Sequence, residues 1–143
     1  MDEKLEALWK VQEAMRKVLL QQAVEDFIQR ISEVPPPWAE LPDTHPCDIG
    51  WRMGGGEWHI MVWGHWWDAQ NFPHQERVEY FRRWTPPPCW LEWVADTLWD
   101  LTPWDTPDEF DYSPYFVQLE LLGFGTRADF EQDFNDPKWF DQQ

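Results

Sequence analysis

Cysteine is scarce in this chain: Cys47 and Cys89 are the two among 143 residues, and no CxxC occurs. That excludes a multi-disulfide framework and the cysteine-rich zinc modules, and it predicts free thiols in a reducing compartment. Long apolar runs are missing too. The opening, MDEKLEALWK, is charged from its second residue and has no apolar signal core. The longest charge-free apolar stretch, WHIMVWGHWW at 58–67, is half of the ~20 residues that a membrane helix needs. A cytoplasmic protein without a membrane span is therefore expected. Positive charge is the third deficit. No Lys or Arg lies between Arg83 and Arg127, and 11 basic side chains stand against 27 acidic ones, for a net charge of −16. Such a chain repels nucleic acid and anionic lipid, so direct binding to either is not expected.

Catalytic signatures are also absent. No HExxH or GxSxG is present, and Gly54–Gly56 lacks the Lys and Ser/Thr of a phosphate-binding loop. No cofactor is expected.

What the chain has in excess is tryptophan, 13 residues of it. Each large aromatic buries roughly 150–250 Å². Thirteen are more than one small core hides easily, so some are expected at an interface. The acidity is uneven: residues 1–84 carry 9 basic and 14 acidic side chains, residues 85–143 carry 2 and 13.

The length fits one domain. Residues 2–33 read as an N-terminal amphipathic helix, with Leu5, Leu8, Trp9, Gln12, Met15, Leu19, Ala23, Phe27 and Ile31 stepping by three or four. Val11, Val18, Val24 and Ile28 widen that stripe enough for a partner helix besides the core. Proline-rich residues 34–49 read as an extended connector pinned by Trp38, and residues 50–143 as a Trp-rich acidic body. The triple glycine between two aromatic runs predicts a β-hairpin at about 48–67. The alternation in YFVQLELLGFG predicts a strand at about 115–122. Short helices are predicted at 74–84 and 89–101, and a last one opens at Thr126 with a capping-box pattern to Asp129. The expected fold class is α+β with a small antiparallel sheet.

Glu57 and His59 fall on one face of the expected strand and form a metal-capable pair, the basis of a metal-dependent hydrolase alternative. His65, six residues further on, is ~20 Å away along a strand and is off-face on a helix, so a metal shared by both histidines is not expected. His45 and His74 are scattered, and the aspartates of 105–111 lack the spacing and the glycine of a calcium loop. Cys89 is read as a structural thiol.

The segment 89–111 is different. Glu92, Asp96 and Asp100 recur at i, i+4 and i+8 beside Trp99, with no lysine to offset their repulsion. Trp104, Asp105, Asp108, Glu109 and Asp111 follow. Carboxylates one helical turn apart are about 6 Å from each other, close to the phosphate spacing of a nucleic-acid strand. These nine residues are the predicted partner-binding set of a non-catalytic, Trp-rich protein-binding module or inhibitor. It would dock onto a basic protein surface, such as that of a nucleic-acid-binding enzyme, by nucleic-acid mimicry in the manner of anti-defence or immunity-type inhibitors. The other alternative is a structural subunit or assembly factor whose N-terminal helix and tryptophans bury against a larger complex.

Overall fold

The computed structural model describes residues 2–106 and 108–140. Among them there is no strand: the chain is helical, not α+β. It forms two compact units, one of Met1–Glu40 with Gly50–Asn71, the other of Leu41–Ile49 with Phe72–Gln143.

The first unit is built on two helices, α1 (Glu3–Ile31) and α3 (Gly55–Gln70), with a short α2 (Pro37–Glu40) between them in sequence. α1 matches the expected N-terminal helix. The Asp2 carboxylate accepts from the Lys4 amide at 3.1 Å, and Glu3 and Glu6 lie in the first turn, where the helix dipole favours them. Ser32 ends it in the left-handed region, and Pro35–Pro37 prevents its continuation. Those prolines and Trp38 are buried, so the connector is part of the core at that point.

The predicted hairpin at 48–67 is overturned. A 3₁₀ turn at Ile49–Trp51 is followed by α3, whose buried positions are Gly56, His59, Val62, Trp63, Trp66 and Trp67. That set has the 3.6-residue period of a helix. The triple glycine begins this helix instead of turning a hairpin. Gly56 has a packing reason: a Cβ there would drive into the backbone carbonyl of Gly50. α3 packs on the C-terminal half of α1, where Leu20 and Val24 are buried and Phe27 meets the His59 ring edge-on at 5.7 Å. Trp63 and Trp67 stack at 4.8 Å within α3.

The second unit contains α4 (His74–Arg83), α5 (Leu91–Trp99), α6 (Ser113–Leu121) and α7 (Arg127–Phe134). Its core gathers Tyr80, Phe81, Leu91, Val94, Leu98 and Leu119, all nearly inaccessible. The predicted strand at 115–122 is overturned as well, since it is α6. Phe116 and Leu119, three apart, are buried, whereas Val117 and Leu121, which alternation would place inside beside Leu119, are exposed. Pro114 suits the first turn of a helix. Gly123, at φ 85°, closes it in the left-handed conformation, with its amide bonded to the Glu120 carbonyl and the Phe124 amide to that of Leu119. The capping box at Thr126 and Asp129 is formed in both directions at 3.1 Å.

Among the described residues no helix is long and apolar enough to cross a membrane.

Candidate functional site

The histidines are each engaged separately, by bonds that orient them in the fold. His59 is buried and donates from Nε2 to the Pro35 carbonyl at 2.8 Å; burial holds its pKa below the ordinary value, against the pull of that bond and of Glu40. His65 bonds to Gln21 at 3.1 Å, His45 to the Phe134 carbonyl at 2.9 Å, and His74 to the Leu98 carbonyl at 3.3 Å. Glu57 is exposed, two residues from His59 and so on another side of α3. The strand face that paired Glu57 with His59 does not exist. Among the described residues no three His, Cys, Asp or Glu side chains gather as a metal site requires. Cys89 is buried and its thiol is pushed up to about 12, by burial first and then by its bond to Asp133, so it stays protonated and weakly nucleophilic. Cys47 is an exposed free thiol.

The nine acidic and aromatic residues of 92–111 all belong to the second unit, and they divide into two groups. The first lies on α5 and its C-cap, and all of it but Asp100 is drawn into the fold. Glu92 and Asp96 are half-buried. Burial pushes Asp96 up to about 6, opposed by the Tyr112 hydroxyl, which donates to its Oδ1 at 2.8 Å. Glu92 is raised too, by burial and then by the charge of Asp96, with Arg127 pulling the other way. Asp100 closes α5 in the left-handed conformation at φ 52° and accepts from Arg77 at 2.9 Å, while its own side chain stays open to water. Arg77, across on α4, also caps the Thr97 carbonyl of that helix end. Sequence spacing along α5 gave no sign of this base from another helix. Trp99 is half-buried between the rings of His74 and Tyr115, at 5.6 and 5.4 Å, so it braces the unit and is not a free anchor.

The second group is exposed. Pro103–Asp105 makes a 3₁₀ turn that presents Trp104 at 72% exposure, with Asp105, Asp108, Glu109 and Asp111 also exposed. The turn is held by the Thr106 hydroxyl, which bonds to the Pro103 carbonyl at 2.8 Å and to that of Asp108 at 3.0 Å. Asp111 accepts from the Ser113 amide at 2.9 Å, and its bonds from Ser113 hold its pKa below the ordinary value. Phe110 stacks on Tyr115 and meets Tyr112 edge-on, which ties this loop to the same aromatic cluster as Trp99. The aromatic residues that fix the loop, Phe110, Tyr112 and Tyr115, were outside the predicted set. Their signal was their spacing about Ser113–Pro114, a helix start.

The arrangement is a braced acidic loop with one exposed indole, adjoining two carboxylates kept partly out of water. No protein-family model matches the chain, and comparison with curated proteins and with solved structures returns no match.

Proposed function

We propose that this protein is a non-catalytic binding module whose acidic loop docks onto a basic surface of a protein partner. The observation that carries this reading is Trp104, 72% exposed on a 3₁₀ turn and followed in sequence by the exposed Asp105, Asp108, Glu109 and Asp111. Exposed indoles of this kind are typical interface anchors, and surrounding charges speed and orient encounter. Glu92 and Asp96 add a second reason. Burial disfavours the charged form of both, and a cation brought by a partner offsets that cost. A nucleic-acid-binding protein fits such a surface, because its Arg/Lys groove already accepts regularly spaced negative charge.

The test is a pull-down from native host extract, at about 50 and about 500 mM salt, bracketing the Debye screening range. Wild type is compared with a variant in which Asp105, Asp108, Glu109 and Asp111 are all replaced by Lys, and with Trp104→Ala. Basic proteins retained at low salt should be lost from the charge-reversed bait and weakened roughly tenfold or more by Trp104→Ala. Equal capture by all three baits at both salts rules the reading out.

A further inference from the structure

α1 carries two apolar faces, and the first unit uses one of them. Leu20, Val24 and Phe27 pack against α3. Leu5, Leu8, Val11, Met15, Val18 and Leu19 form a second face, centred roughly 140° away at 100° per residue, and each is 51–60% exposed. Met15, Val18 and Leu19, with Ala14 and Gln22, line a shallow apolar groove on that face. Leu8, Val11, Met15 and Val18 hold the a and d positions of two heptads, and the flanking positions Ala7, Gln12, Ala14 and Gln21 are uncharged.

Charge identifies the occupant. Residues 2–24 contain Asp2, Glu3, Glu6 and Glu13 against Lys4, Lys10, Arg16 and Lys17, so they are neutral, and the whole net charge of −16 lies outside them. A basic partner gains nothing from this face. A second copy of the chain carries the same −16 outside this segment and meets no net charge on this face. We propose that the second face of α1 pairs with the same face of another copy, in antiparallel orientation. Residues 5–22 span about 27 Å of helix. Six half-exposed side chains from each copy, at on the order of 100 Å² apiece, supply roughly 1,200 Å², the lower bound of a standard interface. Antiparallel pairing also sends the C-terminal halves of the two α1 helices, with the α3 helices packed on them, to opposite ends of the helix pair. This gives the assembly reading of the N-terminal helix a definite occupant and is independent of the acidic loop.

Sedimentation velocity of the full chain tests it. At about 100 µM, wild type should run at twice its monomer mass of 17.4 kDa. Leu8→Glu combined with Met15→Glu should dissociate at least tenfold more readily. Both sites are exposed, so near-ultraviolet circular dichroism of the tryptophans should not change. In a Cys47→Ser background, oxidation should link Gln12→Cys dimers, near the crossing point, and leave Gln22→Cys unlinked. A wild-type monomer at that concentration, a dimer that survives the double substitution, or linkage through Gln22→Cys overturns the proposal. So does a monomer that sediments with anionic vesicles, which assigns the face to lipid instead.

Discussion

The exposed face of α1 and the acidic side of α5 break local rules in opposite senses. On α1, aliphatic side chains that belong in a core stand in water, within a segment whose charges cancel. On α5, carboxylates that belong in water stand half out of it, in a stretch from Glu92 to Asp111 that contains no base of its own. Each arrangement has a cost to the isolated chain, and different partners would remove it: apolar surface for α1, positive charge for α5. Association through α1 should therefore persist in high salt, whereas docking through the second unit should not.

The sharpest way to break that contrast is to ask whether the exposed face of α1 is as idle within the monomer as its exposure implies. Trp63→Ala removes a buried ring stacked on Trp67 and should cost about 3–5 kcal/mol of stability in denaturant unfolding. Leu8→Ala, measured at concentrations low enough to keep copies apart, should change stability by less than about 0.5 kcal/mol. A large loss at Leu8 would mean that the face already has a partner within its own chain.

How much of this the sequence disclosed depends on whether one period or two fit a segment. α1 was legible because its polar residues interrupt the apolar ones at helical spacing and its ends carry Asp2 and the proline run. α5 was legible as a helix for the same reason, although its buried positions include Leu91 and Ala95 besides Val94 and Leu98. α3 was not. Nearly every residue of 58–67 is apolar or aromatic, so alternation and helical repeat both fit, and the preceding glycines favoured a turn. What buries the helical set of α3 is α1, with Leu20 and Val24 far earlier in the chain, a tertiary fact without a local signature. The acidic set was legible as composition only. Arg77 reaching Asp100 and Tyr112 reaching Asp96 join residues 23 and 16 apart, beyond any helical spacing rule.

Gly56 and its neighbour give a smaller test of the same packing. Gly56→Ala gains helix propensity but forces the backbone of Gly50 to move, and should destabilise by about 1–3 kcal/mol. Gly55→Ala meets nothing within 4 Å and should stabilise by up to about 1 kcal/mol. If both substitutions stabilise, the approach of the 49–51 turn to α3 is looser than described, and the buried side of the α1–α3 pair loses a wall.

The smallest effect bears on α5 and has an unusual sign. Burial places the Asp96 carboxyl at about 6 in the folded protein, above its ordinary value of 3.8. The folded state therefore binds this proton more tightly than the unfolded one. Its contribution to stability is greatest below the unfolded value and declines as pH rises from 3.8 through 6. Glu92 is shifted in the same direction. Asp111 and His59 are shifted downward, so they oppose this trend and are lost from stability on acidification. The clean quantity is thus the difference between wild type and Asp96→Asn, whose amide oxygen still accepts from Tyr112. At pH 7.5 the variant should be more stable by up to about 1 kcal/mol, a figure discounted for the part of the side chain that water screens. That advantage should vanish by about pH 4.5, below the folded pKa, as wild-type Asp96 takes up its proton. Denaturant midpoints at the two pH values measure both. If Asp96→Asn is the less stable protein at pH 7.5, the hydrogen bond to the ionised carboxylate outweighs its desolvation. α5 would then carry no cost for a cationic partner to relieve, and the case for docking would rest on Trp104 and its exposed neighbours alone.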